Sequence, residues 1–333
     1  MLGDRSGRKS KVDMGLSQRQ WHRFLGIGIV STLLALPLKA LSQSAVATPT
    51  TTTSQVNVFQ AIVLGFVQGA TEFLPISSTA HLKVVPVALG WGDPGVAFTA
   101  VIQLGSIAAV LWYFWGDLKN ITMGSIAAIA TKEYDAQEFK LALGIAFGTI
   151  PIVFFGLLIK IFIPDFDNSP LRSLGAIAIA SIVMSILLGV AETIGTRKRK
   201  FDKLGTQDGI LMGLGQALAL IPGVSRSGST LTAGLFMGLE RATAARFSFL
   251  LGIPAITLAG LVELKGILSE GLGDAGILPL IAGVISAGIF SYLAIAWLLK
   301  FLQTQSTWVF IWYRLIFGVA ILAAIFTGLL QNS

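Results

Sequence analysis

Residues 58–88 read VFQAIVLGFVQGATEFLPISSTAHLKVVPVA, and residues 208–238 read DGILMGLGQALALIPGVSRSGSTLTAGLFMG. Each stretch is long and apolar enough for one membrane helix, yet each is interrupted midway. Pro75 and the run Ser77-Ser78-Thr79 break the first, and Pro222, Gly223 and Gly228 break the second. Proline removes a helical hydrogen bond and glycine weakens a helix interior. Irregular backbone at membrane depth is tolerated only inside protein or against a wet cavity, because lipid cannot satisfy its peptide groups. The two stretches are therefore read as re-entrant helix pairs, and such breaks mark binding sites.

The two stretches resemble each other. Gly65-Phe66-Val67-Gln68 leads after seven residues to Pro75, with Ser78 three beyond; Gly213-Leu214-Gly215-Gln216 leads after six to Pro222, with Ser225 three beyond. This is a duplicated unit with an offset of about 147 residues. Three crossings lie between the copies, an odd number, so the second copy is expected upside down relative to the first.

Around these stretches lie six segments of the ~20 residues needed to cross a bilayer. They fall at about 94–115, 141–163, 174–194, 245–264, 277–299 and 308–330. With 54% hydrophobic and 12% charged residues and a mean hydropathy of +0.78, the chain is too apolar for a soluble fold of 333 residues. The net charge of +7 does not signal nucleic acid, because the basic residues sit in short runs between apolar segments. With residue 55 outside, the inner connections hold Lys119, Lys132, Lys140, Arg197-Lys198-Arg199-Lys200, Lys203, Arg241, Arg246 and Lys300, and the outer ones only Lys83, Arg172 and Lys265. Basic residues mark the cytoplasmic side. Residues 1–54 form a signal-like extension: a basic flank, an apolar run from Phe24 to Leu38, the small-residue site Ala45-Val46-Ala47 and a Thr-rich linker. The expected fold is an all-α integral membrane protein, an inverted-repeat bundle of six transmembrane helices plus two re-entrant helix pairs. Residues 55–333 make one membrane domain with repeat halves at about 55–194 and 208–333.

Chemistry concentrates at the two breaks. The chain has no cysteine, which removes disulfides and thiolate sites, and its only histidines are His22 and His81. Glu72 lies in an apolar stretch, where a carboxylate costs about 2.5–3.5 kcal/mol even on lenient insertion scales. Gln68, one helical turn earlier, shares its face and can converge with it on a cation or polar ligand; a simple pairing of Glu72 with an arginine is the other reading. A helix restarting at Ser77 or Ser78 points free amides at an anion and puts Ser78 and His81 on one face. A serine beside an imidazole can attack phosphorus, although a Ser-Ser-Thr run also serves as a helix cap. Ser225, Arg226, Ser227, Gly228 and Thr230 suit a phosphate cradle, while Arg226 could instead neutralise Glu72. Arg241 and Arg246 are read as basic residues of the inner face.

Gln68-Gly-Ala-Thr-Glu72-Phe-Leu-Pro-Ile-Ser-Ser78-Thr-Ala-His81 and Ile221-Pro-Gly-Val-Ser225-Arg226-Ser-Gly-Ser-Thr230, with Ile102-Gln103-Leu104-Gly105-Ser106, closely resemble the undecaprenyl-diphosphate phosphatase family of the bacitracin-resistance type. The resemblance runs from about residue 55 to 330 and leaves the N-terminal extension outside. It implies hydrolysis of undecaprenyl diphosphate to the monophosphate carrier at the outer face of a bacterial inner membrane, with bacitracin resistance as a consequence. It implies catalytic roles for Glu72, Ser78, His81 and Arg226, and substrate contacts from Gln68, Ser77, Ser225, Ser227 and Thr230. It further implies a divalent cation, Mg2+ or Ca2+, at Glu72 and Gln68; Gln68 stands where the family pattern also allows a glutamate. A homodimer is compatible with it. Two mechanisms stay open on the sequence, attack by Ser78 with His81 as partner or attack by water with Ser78 binding phosphate. A polyprenyl-phosphate flippase or transporter is the competing class, since inverted repeats with broken helices are also a transporter architecture.

Overall fold

The computed structural model describes residues 56–332 except 164, 167–168 and 271–275. The signal-like reading of residues 1–54 lies outside the described residues. Among the described residues the chain forms eleven α-helices: α1 (Val58–Glu72), α2 (Ser78–Ala88), α3 (Val96–Tyr113), α4 (Trp115–Thr131), α5 (Gln137–Phe162), α6 (Leu174–Ile194), α7 (Thr206–Ala217), α8 (Arg226–Phe236), α9 (Arg241–Glu270), α10 (Ile277–Phe301) and α11 (Trp308–Phe326). Helices α3, α5, α6, α9, α10 and α11 provide six segments long and apolar enough to cross a membrane, each overlapping one expected from sequence. Large apolar side chains cover their outer faces, as with Ile150, Phe154, Leu157 and Ile161 on α5 and Ile281, Ile285 and Ile289 on α10. Such a surface suits lipid rather than water.

The connection between the first two spans is itself helical. α4 is too short and too polar to count as a span, and α5 lies against it through the Ser125 hydroxyl, which donates to the Glu138 carbonyl at 3.1 Å. Asp117 in its first turn complements the helix dipole, and Lys132 ends it in the left-handed region.

Both broken stretches form helix–break–helix pairs. α1 opens on a capping box in which Asn57 and Gln60 exchange side-chain to backbone hydrogen bonds of 3.0 Å. It stops at Glu72 because Pro75 disfavours helical backbone at Leu74. α7 runs into a 3-10 turn at Leu218–Leu220, and Gly223, with φ +91°, turns the chain towards α8. Ser77 and Ser225, the residues before α2 and α8, share an unusual positive φ of 71° and 70°.

That match corrects the register of the duplication. Counting from the prolines pairs Ser78 with Ser225, whereas Ser77 stands nine residues after Gln68 and Ser225 nine after Gln216. The structural equivalents are therefore Ser77 and Ser225, and Ser78 corresponds to Arg226. The proline belongs to the irregular turn, where spacing can drift by one residue; the helix start cannot.

The two copies interlock. α1 packs on α10 and α7 packs on α5, so each copy's first helix lies against a span of the other half. Both contacts use small residues. A side chain on Gly65 or Gly69 would meet the backbone of Gly283 or Ala287, and one on Gly209 or Gly213 would meet Gly144 or Gly148. Between lipid-solvated helices, where burial from water contributes little, such close approach is the main source of association. α6 packs on α11, and a main apolar core from Phe73 to Ile321 draws on residues from both ends of the chain.

Charge separates the two ends of the bundle. One end carries the pairs Arg199–Asp208, bidentate at 2.8 Å, Arg241–Glu192 and Arg246–Asp117, with Thr307 also donating to Glu192 at 2.7 Å. Arg241 and Arg246 thus belong to this basic end and are not part of the cavity described next.

Candidate active site

A cavity of about 440 Å³ enters from the opposite end, between the start of α3, the connection from α5 to α6 and the outer part of α9. Its floor is the pair of breaks. Gln68, Glu72, Ser77, Ser78, Ser225 and Arg226 all line it.

Glu72, the last residue of α1, organises this floor. Its Oε1 accepts from Arg226 Nη2 at 3.1 Å, and its Oε2 accepts from Ser78 Oγ at 2.7 Å and from Gln68 Nε2 at 3.1 Å. The side chains of Glu72 and Arg226 are only 11% and 16% exposed, so the pair is desolvated enough to matter yet open on one side. Arg226 is braced by the Gly252 carbonyl at 3.1 Å, and Gly252 leaves room that any side chain would take from the guanidinium. Gln68 is held in turn by Ser106, whose hydroxyl accepts from Ser291 at 2.8 Å. The expected Gln68–Glu72 pairing therefore forms, and the Glu72–Arg226 ion pair forms with it.

Ser78 and Arg226 are the first residues of α2 and α8, so two helix N-termini converge on the cavity. Their free amides and dipoles favour an anion there. Ser225 keeps its place by capping α8 through the Gly228 amide at 3.2 Å.

Other expected site residues turn into the protein. His81 is 1% exposed, does not line the cavity and makes its hydrogen bonds away from Ser78. Its Nδ1 meets the Ser77 carbonyl at 2.7 Å and its Nε2 meets the Tyr313 hydroxyl at 2.6 Å, while the ring stacks on Phe317 at 4.4 Å. A carbonyl can only accept, so Nδ1 carries the proton and Nε2 accepts from tyrosine. The reason for the separation is packing: His81 faces α11, whereas Ser78, at the helix start, points back to the end of α1. Ser227 donates to the Leu74 carbonyl at 2.9 Å and ties one break to the other. Thr230 donates to the Arg226 carbonyl at 2.7 Å and meets Ser248, fully buried.

Sequence reasoning missed Arg314. It is fully buried in α11, and its guanidinium donates to the carbonyls of Pro75 at 3.2 Å, Gly223 at 2.9 Å and Val224 at 3.0 Å, with Ser181 at 3.4 Å. One side chain thus satisfies the irregular backbone of both breaks. The signal was present, since a charged residue inside an apolar span marks a functional position. Lys83 and Arg172 also line the cavity.

The second copy keeps a vestige of the first. Gln216, the counterpart of Gln68, is fully buried and neither its Nε2 nor its Oε1 has a hydrogen-bond partner. A buried amide left unsatisfied costs about 1–3 kcal/mol. Gln216→Met, similar in size and apolar, is expected to raise the thermal unfolding midpoint of the protein in detergent. A lower midpoint would show that the amide is engaged.

The fold and floor define a polytopic helical membrane protein with a polar, ion-paired cavity at two helix breaks. Residues 61–320 match the family described as Bacitracin resistance protein BacA, and the chain belongs to that family. It is 71% identical over 326 residues to an undecaprenyl-diphosphatase of Nostoc sp., covering 96% of this chain and 100% of the relative. The Trichodesmium erythraeum undecaprenyl-diphosphatase is 61% identical over 93% of this chain and 100% of its own length, and that of Gloeobacter violaceus 58% identical over 84% and 95%. The Nostoc match takes in most of the N-terminal extension, which the motif resemblance had left outside.

Proposed function

We propose that the chain hydrolyses undecaprenyl diphosphate to undecaprenyl phosphate and inorganic phosphate, with the cavity floor as the catalytic site. The observation that carries this reading is the hydrogen bond from Ser78 to Glu72, set beside Arg226 and between two helix N-termini. Arg226 and the amides at the starts of α2 and α8 receive the terminal phosphoryl group and offset its charge. Ser78 Oγ attacks that phosphorus and passes its proton to Glu72 Oε2. The bond to the bridging oxygen breaks, Glu72 gives that oxygen the proton, and lipid monophosphate leaves. Water then attacks the phosphoserine and passes a proton to the Glu72 carboxylate, which returns it to Ser78 Oγ as the P–Oγ bond breaks and phosphate leaves. His81 supports the Ser77 turn instead of acting on Ser78 directly.

The oxygen donors Glu72, Gln68 and Ser78 suit a hard divalent cation, for which one or two carboxylates plus substrate phosphate oxygens suffice. Among the described residues no group of three or more His, Asp or Glu could cage one. Mg2+ or Ca2+ would therefore be held by Glu72 and Gln68 together with the substrate. When bound, it supplies charge neutralisation and polarises the phosphoryl oxygens.

The basic end of the bundle marks the cytoplasmic side by the positive-inside rule, so the cavity opens to the periplasmic side of the inner membrane. The two helix–break–helix pairs enter the bilayer as re-entrant hairpins from opposite faces. The product is the monophosphate carrier used for cell-wall precursor export, and depletion of the diphosphate accounts for resistance to bacitracin.

The test is phosphate release from undecaprenyl diphosphate by the purified full chain in detergent, with magnesium or with a chelator. Release that needs the metal and falls by at least ~100-fold in Arg226→Ala, about 2.7 kcal/mol of barrier, supports the reading. A wild type that releases no phosphate overturns it and makes lipid transport the function to assay.

A further inference from the structure

Two cations of the cavity wall take no part in the step at Ser78. Lys83 lies on α2 five residues beyond Ser78, about 7.5 Å along the helix at 1.5 Å per residue, towards the cavity mouth. Arg172 lies in the connection between α5 and α6 and lines the same cavity. Lys83 Nζ donates to the Arg172 backbone carbonyl at 2.7 Å, which fixes the ammonium against that connection. An ammonium has three donors, so this bond leaves two for another partner. Arg172 acts on Lys83 as a like charge, and Asp93, which also lines the cavity, acts on it as an opposite one.

A like charge disfavours the Lys83 ammonium, and an anion beside that ammonium offsets the effect. Apart from a bound cation, the floor's Arg226–Glu72 pair carries no net charge to offer a diphosphate, because the Arg226 charge is already answered by Glu72 at 3.1 Å. A diphosphate with its terminal group at Ser78 has a second anionic group to place, and α2 carries Lys83 outward from Ser78 within reach of a flexible four-carbon stem.

We propose that Lys83, with Arg172, forms a second anion subsite that receives the phosphoryl group remaining on the lipid and so selects a diphosphate over a monophosphate. This rests on the phosphatase reading of the cavity. A lysine suits the task, since its rotatable point charge can follow a phosphoryl group that becomes the leaving group.

The experiment compares wild type, Lys83→Met and Lys83→Arg in detergent, using methylenediphosphonate and orthophosphate as competing anions in the phosphate-release assay and as ligands in thermal-shift titrations. Lys83→Met is expected to weaken methylenediphosphonate about tenfold while orthophosphate changes by less than about twofold, and Lys83→Arg restores the diphosphonate affinity. The KM for undecaprenyl diphosphate rises by a similar factor with little change in kcat. Equal weakening of both anions would mean a general field at the mouth and overturn the subsite, as would no change in either. A wild type without phosphatase activity overturns the phosphatase reading instead, and the thermal-shift titrations then still decide whether the two anions are distinguished at Lys83.

Discussion

Glu72→Gln is expected to lower kcat for phosphate release from undecaprenyl diphosphate by at least ~100-fold, about 2.7 kcal/mol, with a much smaller change in KM. Glutamine keeps the size of the side chain and can still accept a hydrogen bond from Ser78, which in the native floor donates to Glu72 Oε2 at 2.7 Å. It cannot take the serine proton, and it removes the counter-charge that holds Arg226 at 3.1 Å. Breaking a largely buried pair from one side leaves the other charge uncompensated, which costs about 3–5 kcal/mol when no water or ligand reaches it. Because the cavity is open, the substrate's own phosphate can replace that counter-charge. The loss is therefore expected in turnover more than in binding. Glu72→Asp restores the charge one methylene short and separates the two contributions: activity recovered with charge alone points to electrostatics, and activity lost with the fold intact points to proton transfer over a set distance. A kcat for Glu72→Gln within about threefold of wild type would remove Glu72 from the chemistry.

The second large effect is on Arg314. Arg314→Met keeps an unbranched apolar stem but deletes the donors to Pro75, Gly223, Val224 and Ser181. Hydrogen bonds to charged groups contribute about 1.5–3 kcal/mol each, and buried carbonyls left without donors add their desolvation cost. Allowing for relaxation and entry of water, a loss of about 3 kcal/mol in stability is expected, read as a lower unfolding midpoint in detergent. Turnover should fall as well, since the freed turns carry Ser78 and Arg226 at their ends. Lysine retains the charge without the planar fork that reaches three carbonyls, so Arg314→Lys should recover only part of either property. An unchanged midpoint in Arg314→Met would mean that the two breaks hold their shape without it.

Arg314 also shows where reading the sequence stopped short. Its position inside the expected span 308–330 was visible, but nothing local says that an arginine on the last helix meets turns 91 and 239 residues away along the chain. Glu72 and Gln68 were legible because their spacing is one helical turn and their burden, polar groups in an apolar stretch, is local. Ser78 and His81 were paired by the same logic and the pairing failed: three residues on a short helix bring two side chains near each other only if neither has a better partner. Tyr313 and the Ser77 carbonyl hold His81, while Glu72 takes Ser78. Ser227 and Thr230 were likewise counted as phosphate contacts from composition, and both spend their hydroxyls on the protein.

By itself, the sequence determined the membrane as solvent, six spans, two breaks and a duplicated unit, because hydropathy, proline and glycine act within a few residues. It also placed Glu72 and Arg226 at those breaks. The tertiary structure decided the register of the duplication, the interlocking of the halves through facing glycines, the partner of Ser78 and the staple formed by Arg314. Each of these depends on which helix faces which across the bundle, and a buried polar group is satisfied by whatever lies nearest in space.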